Sequence, residues 1–536
     1  MPGPRIYPAA AVLAIGTAVA FASPTTYDAN RLTYLDEFSN PYWANHTTAR
    51  LATEQWIGEP GVEFAIVLSV DDMSDHTPFE NYLRPILERL KQIDGRAPVS
   101  IMSNRPDPNQ PHLQTWLKEG LSIETHTLHH PCPLLHGGNF PLAAANFHGC
   151  VDLLSRVPNS VPVCFRMPCM DSINSVSPRF YAEIFNHKSD EGRFLTMSSS
   201  VMVLYTEGDP DQPAGYATDP DGRGRFAKYV AGNAGWVNYL ENYPYPFVIG
   251  KIAWELPTFV PDDWQGQHLQ GNGNPGTVAD MKAAIDATAR KHGVYTMTFH
   301  TANWIFNHQI VDVIDHAVNT YGSRVKFLNF REVQDRLNRN MLAGHPIRNP
   351  QTGQDNGVRI LDINNDGYMD VVIGNDNARI TRIWDPQAKK WNTTDFPVPI
   401  VTTDAQGITR ETGVRFGVIQ PGCEPEQKLP GYACFLVINE KMRTGYYFNG
   451  SRWVELPELA RGLEANGPIF TSRDGVDRGV RLRDLDNDGI CELIVANDTQ
   501  SAVFQWLACK KTWAKQAITL PQDTAIVDAQ GRDAGL

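Results

Sequence analysis

Four short segments carry side chains able to hold an ion and move protons: Asp71-Asp72, His126-Thr-Leu-His-His130-Pro131, Arg166-Met167-Pro168 and Thr298-Phe299-His300. Two imidazoles and one carboxylate can bind a Zn2+-like ion through three protein positions and leave a fourth for water. Such an ion lowers the pKa of that water to roughly 7 and polarises a carbonyl. A second carboxylate can then take the water's proton, and an opposed histidine can protonate a leaving group. Alone, adjacent aspartates are ordinarily solvated loop residues, a single histidine is ordinarily structural, and His129 could compete with His126 or His130 as a ligand. The combination is what points to hydrolytic chemistry.

The elements that must position these residues alternate strand and helix from residue 60 to about 335. Residues 64–70 form a continuous apolar run, as in a strand buried on both faces. Residues 78–93 have helical periodicity, with Phe79, Leu83, Ile86, Leu87 and Leu90 on one side. Strands are predicted at 97–102, 121–125 and 161–166, and helices at 113–118 and 142–157. Repeated βα units imply a parallel sheet, open or closed into a barrel. The polar clusters fall just past the strand ends, the face on which a βα barrel builds its chemistry.

In this order the segments resemble the polysaccharide deacetylase family (NodB-homology carbohydrate esterases), and most of all its chitin-deacetylase-like branch. The matching motifs are the strand ending in Asp71-Asp72, the full His126-Thr-Leu-His-His130-Pro131, Arg166-Met167-Pro168, and Phe299-His300 followed by Trp304. The resemblance implies a deformed (β/α) barrel in which Asp72, His126 and His130 bind Zn2+ or another divalent transition metal such as Co2+. It implies that Asp71 is the base, Arg166 orients Asp71, and His300 is the acid. Met73 stands where the family has glycine, Cys169 where it has an aromatic, and Thr298 where it has leucine. Met73 and Cys169 are therefore expected to line the site. Trp254 and Trp264 compete for the role of aromatic wall.

The resemblance thus implies a hydrolase of the α/β class that removes acetyl groups from N- or O-acetylated carbohydrate. The alternative is a non-catalytic carbohydrate- or surface-binding protein with a degenerate barrel. Two histidines and a carboxylate also make the iron site of non-haem oxygenases, but those sit in double-sheet jelly rolls rather than alternating strand and helix. A zinc protease is disfavoured because the His126 segment lacks the glutamate of His-Glu-x-x-His.

After about residue 340 the pattern changes to repeats. Residues 357–370 match 479–492 at an offset of 122, and Trp384 and Trp391 match Trp506 and Trp513 at the same offset. A degenerate copy opens at Gly413 and closes at Trp453, which makes three units of about sixty residues. Such a period with regularly placed aromatics suggests blades of an all-β propeller, and the units resemble FG-GAP/VCBS repeats. Asp528-Ala-Gln-Gly531 followed by Gly535-Leu536 reads as the opening of a fourth, incomplete unit. Asp362, Asn364, Asp366, Tyr368 (through its carbonyl) and Asp370 are spaced to offer oxygens to Ca2+ on a tight turn at Gly367. Asp484, Asp486, Asp488, Ile490 (through its carbonyl) and Glu492 repeat the arrangement, and the middle unit lacks it.

Composition frames these readings. Across 536 residues, 42% are hydrophobic and 20% charged, which suits globular domains. The net charge of −13 argues against nucleic acid as a partner. Arg5, an apolar stretch at 8–21 and Ala20-Phe21-Ala22 read as a signal peptide, predicting a secreted, periplasmic or cell-surface location. No later segment is apolar enough to span a membrane. The expected organisation is a signal peptide at 1–22, a catalytic region at 23–340 and repeats at 341–536. The repeats would serve a polymer or cell-surface partner. Eight cysteines without a CxxC pair suggest disulfides, with local pairs Cys423–Cys434 and Cys491–Cys509.

Overall fold

The computed structural model describes residues 49–172, 177–232, 235–237, 239–423, 431–486, 488–521 and 524–532. The expected signal peptide and the Gly535-Leu536 end of the fourth repeat lie outside them.

In chain order the strands of the first half are β1 (Phe64–Met73), β2 (Val99–Ser103), β3 (Ser122–Thr125), β4 (Cys164–Phe165), β5 (Met197–Ser198), β6 (Met202–Leu204), β7 (Tyr239–Glu241), β8 (Phe247–Ile249), β9 (Ala253–Glu255), β10 (Thr258–Phe259), β11 (Val294–Phe299) and β12 (Val325–Leu328). The main sheet runs β11-β1-β2-β3-β4-β5-β9-β8 and is parallel except for β8–β9. Strand β1 pairs on one side with β11 and on the other with two strands in succession. Its first half, Phe64 to Val67, meets β12, and the stretch from Leu68 onward meets β2. This fork and a separate three-stranded sheet, β10-β6-β7, give a curled half-barrel in place of a regular eight-fold barrel.

The apolar run of β1 is buried on both faces, as parallel strands between helix layers must be. The helix His76–Asp94 starts on Asp75, whose carboxylate accepts the Thr77 N–H, and stops at Gly95, where φ is 68°. It buries Phe79, Tyr82, Leu83, Ile86, Leu87 and Leu90. Helices Pro111–Glu119 and Phe140–Ser155 follow within a few residues of the predicted positions. Among the described residues, no helix is long and apolar enough to cross a membrane.

The second half consists of small antiparallel sheets. Three are four-stranded, spanning residues 358–395, 415–455 and 480–515, and two hairpins lie between them. Trp384 packs edge-on to Trp391 with ring centres 5.2 Å apart, and Trp506 meets Trp513 at 5.3 Å, so the sequence repeat is also a packing repeat. The first of these sheets is built into the first half. The Arg50 N–H donates to the Gly367 carbonyl and the Met369 N–H to the Arg50 carbonyl, both at 2.9 Å, Gln55 Nε2 donates to the Met369 carbonyl at 2.7 Å, and Trp391 Nε1 donates to the Gln55 carbonyl at 2.9 Å. Val358, Met369, Val371 and Ile373 share one hydrophobic core with β1 and its helices.

The expected local disulfides do not form. Cys423 pairs instead with Cys509, 86 residues away, and Cys434 and Cys491 are buried thiols. Antiparallel strands fold the chain back, so Cys423 and Cys509 meet just beyond strand ends of two neighbouring sheets, whereas Cys434 faces Gly417 in mid-strand. The second disulfide joins Cys132 to Cys169.

Candidate active site

The four segments meet at the C-terminal ends of β1, β3, β4 and β11. Between Val70, opposite Ile101, and Met73, opposite Ser103, strand β1 carries an extra residue, and Asp72 takes a left-handed φ of 75°. Successive side chains of a regular strand point to opposite faces, and a bulge re-aims them. Here it leaves Asp71 buried, 3% exposed, and directs Asp72 toward the open cavity. Met73 then rejoins the ladder.

Asp71 is held from behind. Arg166 Nη1 donates to Asp71 Oδ1 at 2.9 Å and to Ser69 Oγ at 2.8 Å, while Nε and Nη2 donate to the carbonyl and hydroxyl of Ser199. Arg166 is 0% exposed, so its charge has no solvent to turn to and its fork fixes one rotamer of Asp71. Asp71 Oδ2 is left facing His126 Nε2 at 3.9 Å.

Asp72, His126 and His130 form the cluster of possible metal ligands in this half, with ligand atoms all within 4.8 Å of one another. Asp72 Oδ1 lies 3.4 Å from His126 Nε2 and 3.3 Å from His130 Nε2. His126 Nδ1 is 3.0 Å from the Arg166 carbonyl, a partner that can only accept. That contact places the proton on Nδ1 and leaves the Nε2 lone pair for an ion. Burial and the neighbouring His126 keep the His130 pKa below the usual imidazole value, which favours its neutral, ligating form. Burial alone would raise the pKa of Asp72, but His126, His300 and His130 outweigh it and hold the carboxyl well below the usual range. The donor set therefore fits a divalent ion: one carboxylate and two imidazoles, with one tautomer fixed from behind.

His300 closes the opposite side. Its Nδ1 lies 2.8 Å from Asp263 Oδ1, its backbone N–H donates to Asp263 Oδ2 at 2.8 Å, and its Nε2 is 3.8 Å from Asp72 Oδ2. Burial disfavours the imidazolium, yet Asp263, with Asp71 and Asp72 behind it, pushes its pKa up to about 10. Asp263 opens the helix Asp263–Gln270, which Asp262 caps by accepting the Gln265 N–H at 2.7 Å.

Five non-glycine residues here have left-handed φ: Asp72, Thr127 (66°), His130 (49°), Cys169 (58°) and Met170 (53°). Such backbone costs about 1–3 kcal/mol per residue and persists where surroundings enforce it. The enforcers are visible: Asn104 Nδ2 donates to the carbonyls of His126 and Thr127, Thr127 Oγ1 accepts the His130 N–H, and the disulfide ties Cys132 to Cys169.

Of the expected lining residues, Cys169 and Trp264 border the cavity. Met73 and Trp254 do not. Met73 is 0% exposed because it re-pairs with Ser103, and Trp254 is 1% exposed on β9 between β5 and β8. Sequence reasoning missed Asp263, Trp236 and Asp171. The only signal for Asp263 was its place in Pro261-Asp-Asp-Trp264.

In the repeats, Asp362 accepts the N–H groups of Asp366 and Gly367, and Asp370 accepts those of Ile363 and Trp384. Burial, with the Asp366 carboxylate, pushes the Asp362 pKa up to about 7; burial with Asp385 raises that of Asp366, and burial with Asp362 and Asp366 raises that of Asp370. The Asn364 side-chain oxygen is buried and accepts no hydrogen bond among the described residues. Tyr368 N–H donates to Asp366. In the last unit Asp484, Asp486 and Glu492 gather within 4.8 Å, and the Asp488 carboxylate accepts the Ile490 N–H.

No family model and no curated protein matches the chain. Among solved structures it is similar to a protein assigned as a polysaccharide deacetylase from Mycobacterium smegmatis, at 14% identity over 55% of this chain and 95% of that one, with a TM-score of 0.35. It is similar to the peptidoglycan deacetylase PdaC from Bacillus subtilis, at 14% identity over 51% and 92% of the two chains, with a TM-score of 0.28. It is also similar to the allantoinase Puue, at 10% identity over 53% and 93%, with a TM-score of 0.35.

Proposed function

We propose that this chain is a metal-dependent deacetylase that hydrolyses acetyl groups from N- or O-acetylated carbohydrate. The observation that carries the reading is the opposition of two prepared groups across one ligand cluster: Asp71 clamped by Arg166, and His300 clamped by Asp263. Asp72, His126 and His130 would hold Zn2+ or Co2+, which when bound supplies Lewis acidity, polarising the acetyl carbonyl and lowering the pKa of a water. Asp71 takes the proton of the attacking water at the carboxylate, whose position Arg166 maintains. His300, protonated on both nitrogens at neutral pH, donates from Nε2 to the departing amine or alcohol. Asp263 keeps that imidazolium charged and oriented.

The same proposal assigns 1–22 to a signal peptide for export, 23–340 to catalysis and 341–536 to propeller-type repeats of the FG-GAP/VCBS kind. Three successive four-stranded antiparallel sheets support the repeat assignment. Structural Ca2+ would sit in the loops at Asp362–Asp370 and Asp484–Glu492. The unpartnered Asn364 oxygen and the raised carboxyl pKa values in the first loop fit a hard cation. The repeats would attach the enzyme to a polymer or cell surface.

The test is acetate release from acetylated chitooligosaccharides and acetylated xylan, with and without added Zn2+ or Co2+, for the full chain and Asp71→Asn. Metal-dependent release that the variant loses supports the reading. A folded, metal-loaded protein that releases no acetate from any acetylated sugar yet binds one would mean a binding protein instead.

A further inference from the structure

The cavity containing Asp71, Asp72 and His300 has a volume of about 490 Å3, in the range of small-molecule sites. Three indoles, Trp236, Trp264 and Trp304, give it apolar walls, and the ring centre of Trp304 lies 4.7 Å from that of His300. Two further polar residues of the lining, Asp262 and Thr298, take no part in the clamps on Asp71 and His300. Both are buried, at 5% and 1% exposed.

Asp262 follows β10 by way of Val260-Pro261 and caps the helix Asp263–Gln270. Its Oδ1 accepts the Gln265 N–H at 2.7 Å, and its own N–H donates to Gln265 Oε1 at 3.1 Å. Among the described residues no donor meets Oδ2, so this oxygen is left to the cavity. Burial and the Asp263 charge push the Asp262 pKa up to about 7, against the Gln265 hydrogen bond and His300. A ring that enters the cavity displaces the water that would otherwise solvate Oδ2, and unless it supplies a donor the buried oxygen goes unsatisfied. The lining holds a second acceptor. Thr258 Oγ1 donates its one proton to the Thr296 carbonyl at 3.1 Å, so in the 2.6 Å contact between the two hydroxyls Thr298 Oγ1 is the donor and keeps its lone pairs.

We propose that Asp262 accepts a hydrogen bond from a free hydroxyl of the acetyl-bearing sugar ring and makes that hydroxyl a requirement for tight binding. The proposal rests on the deacetylase reading above and narrows its substrate class to rings unsubstituted at the position that faces Asp262. On that reading the atom leaving the acetyl group faces the proton on His300 Nε2, so a different group of the ring, a hydroxyl, meets Asp262. Asp262 is thus a specificity residue that touches the substrate and moves no proton of the reaction.

The test uses the Zn2+-loaded full chain at about pH 8.5, above the Asp262 pKa and below that of His300. The substrates are a glucosamine disaccharide N-acetylated on the non-reducing ring alone and its 3-deoxy, 4-deoxy and 6-deoxy analogues in that ring. Acetate release and quenching of tryptophan fluorescence are both measured. One analogue should lose at least about tenfold in kcat/KM, and Asp262→Ser should treat that analogue and the parent alike to within about threefold. Serine keeps the helix cap and removes the free oxygen. A wild type that handles all three analogues like the parent overturns the proposal, as does an Asp262→Ser chain that discriminates as the wild type does. If the serine variant does not fold, Asp262→Asn decides in its place: the amide keeps the cap without the charge, and undiminished discrimination overturns the proposal. Absence of acetate release from every sugar would instead overturn the deacetylase reading. The quenching titration then decides the proposal alone, since weaker binding of one analogue, lost in Asp262→Ser, upholds it and equal binding or none defeats it.

Discussion

The chain concentrates carboxylates in two kinds of place and treats them in opposite ways. At the end of β1, Asp71 and Asp72 face a buried guanidinium and three imidazoles, and the pKa of Asp72 is driven down. In the first repeat loop burial, and then neighbouring carboxylates, drive the pKa values of Asp362, Asp366 and Asp370 up against the backbone N–H groups that they accept from. The first arrangement is charge-balanced and pre-set. Its side chains are held in position by one another, as preorganised polar sites require. The second gathers its carboxylates by burial and by backbone N–H donors. Adjacent aspartates in a sequence are thus uninformative until the cationic partners are known.

The largest effect expected from this contrast is on turnover. Asp71→Asn should cost about 10^2–10^4-fold in kcat while the fold and metal content are retained, as read by circular dichroism and metal analysis. A variant with near-full activity would remove Asp71 from the proton path. Asp263→Asn should cost less, on the order of 10–100-fold in kcat, and should also change the pH profile. His300 acts protonated and its pKa stands near 10. Losing Asp263 lowers that value, so the alkaline limb of kcat should move to lower pH. An unmoved limb would show that Asp263 only packs against the ring. Replacing both Cys132 and Cys169 by serine should weaken Zn2+ binding by about tenfold, since the bridge restrains His130 and the Arg166 segment from outside the ligand set. Unchanged affinity in a competition titration would mean that hydrogen bonds from Asn104 and Thr127 suffice.

The smallest effect concerns the repeat loops. The folded Asp362 pKa of about 7 lies above its unfolded value of 3.8, so its contribution to stability is present below pH 4 and is lost as pH rises toward 7. Without Ca2+, the melting temperature of the repeats should fall by a few degrees over that interval. Millimolar Ca2+ should abolish the fall, and acetate release from short oligosaccharides should be indifferent to it. A flat melting temperature in both conditions would sink the calcium assignment.

The segments that gather at the cavity were legible because each follows a buried strand, and a continuous apolar run ending in polar residues marks itself. The helix His76–Asp94 was legible by its period and its caps. The region 199–262 was not. Its strands are two or three residues long, too short for any period, so neither Asp263 nor Trp236 could be tied to His300 or the cavity. Trp254 looked like a cavity wall because a strand buried on both faces and a loop can carry the same residue. The cysteines misled because nearness in sequence is a poor guide where antiparallel strands return the chain to distant neighbours.

The seam between the halves has a practical consequence. Trp391 and Gln55, Met369 and Arg50, and the apolar Val371 and Ile373 belong to the same packed interior as β1. A fragment ended at residue 340, where the sequence pattern changes, would leave that interior open to water on one side. Its exposed apolar patch would favour self-association over a clean monomer. Truncations meant to isolate the first half would therefore expose that interior if ended at 340, and would expose Leu361, Ile363 and Val372, which pack with the later sheets, if ended after Asp395.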